Sequence, residues 1–226
     1  PKTLLPTNLS ADTMSFFVGS TGVMPSVVNS IVVALLTVVI GLLIGAPAGY
    51  AVARFRFWGR DAFQVGVLIT KMFPVAILSI PLAVAFIHMD LYDTILGVAL
   101  VHSAMALPFV VLVTASVFAG VSAELEEAAM TLGCSRFQAF LRVAMPLALP
   151  GLAAAAIFTF MVSWNEVFAA TILTVRNRTL PAQVLANLYD SPLYFRFAGG
   201  FFLIVPAFIF IFIIRRYLLN LWGPTR

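Results

Sequence analysis

The sequence predicts an all-α, polytopic membrane helical bundle, and three observations carry that prediction. Hydrophobic residues make up 62% of the 226 residues and charged residues only 10%, with a mean hydropathy of +1.07. A soluble domain carries about 25% charged and about 45–50% apolar residues. Apolar runs near the roughly 20 residues that a membrane-crossing helix needs recur five times along the chain. Most arginines sit at the ends of those runs, as the positive-inside rule expects. The chain therefore reads as one transmembrane domain, 1–226, with lipid as its solvent. The net charge of +4 is span-end arginine, not a nucleic-acid footprint. One cysteine, Cys134, excludes an intramolecular disulfide.

Residues 1–26 are mixed in character and hold no apolar run long enough for a span or a signal peptide. A short amphipathic stretch at 14–18 reads as a surface-lying segment or an ordinary loop. The first span is expected at about 27–52. Within it Gly41, Gly45 and Gly49 recur every fourth residue, the spacing of small residues that lets two helices approach closely. The second span, about 62–89, contains Lys71, Pro74 and Pro81 and should be kinked. The third, about 94–118, contains His102 and Pro108; the fourth is expected at 147–173 and the fifth at 197–214, bent at Pro206. Between the last two lies a polar segment, 174–196, with a short helix expected near 182–189. The phenylalanines of the fifth span (Phe201, Phe202, Phe208, Phe210, Phe212) read as lipid-facing or core.

The interval 124–151 is the one long polar stretch with strong local order. Leu125, Ala128, Ala129 and Leu132 fall at i, i+3, i+4 and i+7, an apolar stripe on a short helix, with Glu124, Glu127 and Thr131 opposite. Ser122 is placed to cap its start, and the glutamates suit the positive end of the helix dipole. Gly133 stops it, where a left-handed residue costs little. Ser135 and Gln138 form a capping box for a second helix, 137–143, and Pro146 and Pro150 close the interval. An amphipathic unit of this kind between two spans is a docking element whose stripe needs a partner.

Sidedness follows from the basic residues. One side holds Arg54, Arg56, Arg60, Arg136, Arg142, Arg215, Arg216 and Arg226, and the other holds Lys2, Arg176, Arg178 and Arg196. The first side is expected to be cytoplasmic. That puts loop 122–145 and the C-terminus inside the cell, and segment 174–196 and residue 1 outside.

No catalytic motif is present. A P-loop needs Gly-Lys followed by Ser or Thr, and the two lysines, Lys2 and Lys71, follow Pro1 and Thr70. One cysteine and two separated histidines make a dedicated metal site improbable. The candidates for a transport pathway are polar groups within the spans, which are costly in lipid and face a cavity or a partner. Lys71 lines a pathway, pairs across a subunit interface, or snorkels to the inner headgroups. Trp164, Asn165 and Glu166 combine a ring with hydrogen-bonding groups, which suits a sugar, or else form an interfacial aromatic beside a helix-packing polar pair. His102 reads as a packed polar residue. A self-sufficient ion-coupled transporter using Lys71, His102 and Glu166 is a second class, against which stand the few spans and the lack of an inverted repeat. A membrane enzyme or assembly scaffold is a third.

Glu127-Ala128-Ala129, three residues, Gly133, nine residues, then Val143, Met145 and Pro146 resembles the EAA loop of permease subunits of binding-protein-dependent ABC importers. Tyr50-Ala51-Val52-Ala53-Arg54-Phe55 with Gly59-Arg60, Met72-Phe73-Pro74, Leu107-Pro108-Phe109, Trp164-Asn165-Glu166 and Asn29-Ser30 are similar to its carbohydrate, maltose-permease-like branch. The resemblance covers nearly the whole chain. It implies a type I importer permease fold and a sugar, polyol or related solute; the phosphate and amino-acid branches share the loop. It also implies a second permease, two ATPase subunits carrying ATP and Mg, and an extracytoplasmic solute-binding protein. Glu124, Glu127, Ala128, Ala129, Leu132 and Gly133 would then couple to the ATPase. Six spans are usual in that family, so an upstream span is expected to precede residue 1. Three departures stand out: Leu132 where many members carry Asp, Lys71 at a usually neutral position, and a C-terminus without the branch's Gly-rich ending.

Overall fold

The computed structural model describes residues 12–221, with side chains through Phe212 except at 207, 210 and 211. Expectations on residue 1, Lys2, Arg226, the tail beyond Leu221, and the side chains of Phe210, Arg215 and Arg216 lie outside the described residues.

Every regular element among the described residues is helical. In chain order they are α1 (Asp12–Gly19), α2 (Val23–Arg54), α3 (Arg60–Ile69), α4 (Val75–His88), α5 (Ile95–Ala119), α6 (Ala123–Thr131), α7 (Arg136–Trp164), α8 (Phe168–Leu173), α9 (Leu180–Ala186) and α10 (Leu193–Leu221). Helices α2, α5 and α7 are each long and apolar enough to cross a membrane.

The parallel pair α2 and α5 forms the spine, and the glycine repeat explains their approach. A Cβ on Gly49 would lie 2.0 Å from Thr114 Oγ1 and 2.7 Å from the Ala115 nitrogen, and one on Gly45 would lie 2.5 Å from Val110 Cγ1. With no side chain in the way, Thr114 Oγ1 donates to the Gly45 carbonyl at 2.9 Å. α7 runs antiparallel across this pair, with Thr159 over Gly41 and Ser163 beside Thr37.

Three expected elements are corrected. The second span is not one kinked helix. A 3₁₀ turn, Thr70–Met72, follows α3, and α4 leaves it at 88°. Pro74 forces Phe73 into extended backbone (φ −73°, ψ 121°), so Lys71 sits at a break and not within a continuous helix.

The fourth span is displaced at both ends. The separate helix expected at 137–143 is the start of α7, which passes through a π turn, Phe140–Ala144, just before Pro146. A proline lacks the N–H that an α turn needs, and the wide turn accommodates it. At the other end α7 stops at Trp164, because the Glu166 carboxylate accepts the N–H groups of Ala169 (2.9 Å) and Ala170 (3.0 Å) and starts α8 afresh.

The stretch at 14–18 lies in α1 and is neither a loop nor wholly surface-lying. Phe17 is fully buried, with ring centroids 4.9 Å from Phe195 and 5.1 Å from Phe202 of α10.

Candidate docking site and transport cavity

α6 stands at the end of the bundle where α2 and α5 finish. Ser122 precedes it in extended backbone but makes no side-chain cap. Its other end closes as predicted. Gly133 has φ +95°, its N–H bonds the Met130 carbonyl, and the Cys134 N–H bonds the Ala129 carbonyl, both at 3.0 Å. That is a Schellman ending. No atom lies within 4 Å of a Cβ built on Gly133, so backbone conformation alone asks for glycine. The Ser135–Gln138 capping box is present, with Gln138 N–H on Ser135 Oγ (3.2 Å) and Ser135 N–H on Gln138 Oε1 (2.9 Å).

The predicted stripe points away from the bundle. Leu125 is 49% exposed and Leu132 87%; Ala128 is exposed and Ala129 half-buried. Glu124 and Glu127 are exposed as well. The inward side is set by a residue off the stripe: Glu126, 5% exposed. Its Oε1 accepts from Arg54 Nε at 2.7 Å and lies 2.7 Å from Nη2 as an ion pair, and its Oε2 accepts from the Tyr50 hydroxyl. Arg54 Nη2 also donates to the Val121 carbonyl at 2.7 Å. The available signal was the acid at the middle of an apolar-striped helix, four residues before Met130 and off the stripe, together with an arginine on the last turn of α2.

The four pathway candidates do not gather at one place. Lys71 borders a cavity of about 460 Å³ between the broken α3–α4 pair and α5, with an otherwise mainly apolar lining that includes Phe73, Leu78, Phe86, Met105 and Pro108. Trp164 is buried, stacks on Phe160 at 5.9 Å, and donates its indole N–H to the Leu203 carbonyl at 3.1 Å. Asn165 is exposed and bonds back to the Met161 carbonyl at 2.9 Å. Glu166 is buried against His102, whose Nε2 lies 3.1 Å from Oε2. His102 Nδ1 in turn lies 2.8 Å from Ser163 Oγ. These groups satisfy one another across α5, α7 and α8, which is how polar side chains persist inside an apolar bundle.

At the opposite end of the bundle, Asp93 ties the segment after α8. Its Oδ1 accepts the N–H groups of Val175 (2.8 Å), Arg176 (3.0 Å) and Asn177 (3.0 Å), and Asn177 Nδ2 donates to the Asp93 carbonyl at 2.6 Å. Partial burial pushes the Asp93 carboxyl up, but these N–H groups and the Arg176 charge outweigh it and hold the carboxyl below the usual aspartate range. Asn29 Nδ2 on the Arg178 carbonyl and Ser30 Oγ on the Leu180 N–H join the same segment to α2.

Comparison with known proteins places this geometry. Residues 41–221 match the family described as the binding-protein-dependent transport system inner membrane component. The trehalose transport system permease protein SugB of Mycobacterium tuberculosis is 34% identical over 84% of this chain and 72% of its own length. The diacetylchitobiose uptake system permease protein DasC of Streptomyces coelicolor is 36% identical over 70% of this chain and 56% of its own length. Among solved structures, a chain of a bacterial ABC transporter involved in the import of the acidic polysaccharide alginate superposes with a TM-score of 0.77 at 23% identity. The match covers 95% of this chain and 81% of that one. The chain is therefore an integral membrane permease and belongs to the family of binding-protein-dependent transport system inner membrane components.

Proposed function

We propose that this chain is the permease subunit of an ATP-driven importer for a sugar, polyol or related solute. A solute-binding protein delivers the solute outside the cell, a second permease completes the pathway, and two ATPase subunits bind ATP and Mg. The observation that carries the reading is α6: an apolar face presented to solvent at one end of the bundle, closed by the Gly133 corner and flanked by Glu124 and Glu127. Such a face needs a partner, and an ATPase subunit fits it. The sugar class is supported by the names of the trehalose and diacetylchitobiose relatives. The end bearing α6 and Arg54 is cytoplasmic, and the Asp93-tied segment faces outward, in line with the arginine distribution.

In this reading Lys71 is the pathway candidate, because it borders a cavity. Trp164 and Glu166 fix the wall from within, being spent on Leu203, His102 and the α8 amides. An ion-coupled carrier is less well supported, since His102 and Glu166 bind each other and Lys71 lies elsewhere. The test is purification of the full-length protein in mild detergent, followed by mass spectrometry and ATPase assays with trehalose, diacetylchitobiose, phosphate and amino acids. Co-purification of a P-loop ATPase and a second permease, with hydrolysis raised by a binding protein and one sugar, is expected. A chain that purifies alone and transports without ATP overturns the reading.

A further inference from the structure

We propose that Glu126, Arg54 and Tyr50 are positioning residues that transmit the displacement of α6 to α2. This rests on the docking reading above and adds the path by which docking reaches the spans. α6 has two unlike sides. The outward side carries Leu125 and Leu132, free to receive a partner; the inward side carries Glu126, buried on α2. The covalent connections of α6 are turns, at 120–122 before it and at the Gly133 corner after it. A turn absorbs motion by backbone rotation.

The link to α2 is of another kind. The Arg54 guanidinium donates Nε–H to one carboxylate oxygen of Glu126 and Nη2–H to the Val121 carbonyl, with Nη2 also in ion-pair contact with that same carboxylate oxygen. The planar fork fixes direction as well as distance. Tyr50 completes it on the second oxygen, and its ring is wedged against Phe140 (4.5 Å) and Phe118 (5.4 Å). Five residues and one residue before Tyr50, α2 presents Gly45 and Gly49, the positions locked onto α5. A push on α6 therefore arrives at the last turn of α2 and moves the α2–α5 spine as one body. A cavity of about 230 Å³ beside the clamp, bordered by Phe55, Glu127, Met130 and Arg136, leaves room for α6 to shift.

The test uses the assembled importer in lipid nanodiscs and needs no knowledge of the solute. Backbone hydrogen exchange is compared without nucleotide and with ATP plus vanadate. In the unaltered complex, exchange should change with nucleotide both in α6 and in residues 50–58. In Glu126→Gln the change in α6 should persist while that at 50–58 is lost; a purely stabilising role would raise exchange at both places regardless of nucleotide. Tyr50→Phe, which removes one hydroxyl and keeps the ring, should reduce the change at 50–58 partway. If Glu126→Gln fails to assemble, Tyr50→Phe decides: an undiminished response at 50–58 overturns the proposal. An undiminished response in Glu126→Gln overturns it too. If the unaltered complex carries an ATPase yet shows no nucleotide response at 50–58, this inference alone falls. If no ATPase binds, the docking reading falls and takes the inference with it.

Discussion

At one end of the bundle Glu126 is held by the side chains of a helix 72 residues away in sequence; at the other, Asp93 is held by three successive backbone N–H groups of the segment after α8. Both carboxylates tie a connecting segment to the spans, but their surroundings differ. Glu126 and Arg54 are nearly closed off from solvent, with side chains 6% and 14% exposed. The partners of Asp93 are exposed. A buried charge pair depends on both members, because removing one strands the other in a poor solvent. A carboxylate on exposed amides can be replaced in part by water. The first end is thus the more firmly tied of the two, and the second holds a loop in place.

The sharpest way to break this contrast is Arg54→Ala. It should cost about 3–5 kcal/mol, the usual penalty for orphaning one member of a buried pair. Thermal unfolding of the detergent-solubilised protein, and the yield of co-purified ATPase, should both fall; unchanged values would mean that Glu126 is not confined as described. Next in size is Gly49→Ala, a change in the spine between the two ends. The added Cβ would meet Thr114 Oγ1 and the Ala115 backbone, and overpacking of this sort costs roughly 1–3 kcal/mol. Because α2 carries Arg54 and Asp93 lies just before α5, parting the α2–α5 pair should loosen both ends together in hydrogen exchange, unlike any substitution at either end.

Asp93→Ala should be milder, about 1 kcal/mol, since water re-solvates much of what is lost. Its mark is local: limited proteolysis within 174–179 should speed up while α6 is unaffected. The same tie has a pH dependence of known sign. The folded Asp93 carboxyl lies below its ordinary value, so its contribution is fully present above about pH 4–5 and fades as pH falls through the folded value. Proteolysis at 174–179 should therefore be flat from neutral pH down to that range and rise only below it. Of similar size is Gly133→Ala, roughly 1 kcal/mol for a left-handed backbone with a side chain, with no clash to add. It should weaken ATPase co-purification slightly without altering the spans, as read by circular dichroism. A larger loss would show that the corner has contacts of its own.

Much of the docking end was legible in the sequence because its signals are local. A left-handed glycine, a capping box and an apolar stripe all operate within a few residues, and Gly133, Ser135, Gln138 and Leu132 stand where that logic puts them. The stripe showed which face is apolar but not which face points outward. That depends on Arg54 and Tyr50 of α2, which choose Glu126 among three neighbouring glutamates. The fourth span was misjudged for the same reason. Asn165 and Glu166 alone interrupt the apolar run from 147 to 173 with strongly polar groups, and nothing near them in sequence says that Glu166, held by His102 of α5, stops α7 and starts α8. Trp164 and Glu166 carry ring and hydrogen-bonding chemistry by type, and the packing pairs Trp164 with the Leu203 carbonyl and Glu166 with His102.

The sequence by itself determined the solvent, the all-helical class and the local order around Gly133, because composition, periodicity and turn chemistry act over short distances; its motifs pointed to the family. Only the tertiary structure decided where helices break, which glutamate faces inward, and which polar groups remain free to meet a cavity. Those outcomes depend on pairings across 61 to 84 residues, such as His102–Ser163, Arg54–Glu126 and Asp93–Asn177. A buried polar group is tolerated only where a partner satisfies it, and that partner is specified by packing, not by its neighbours in the chain.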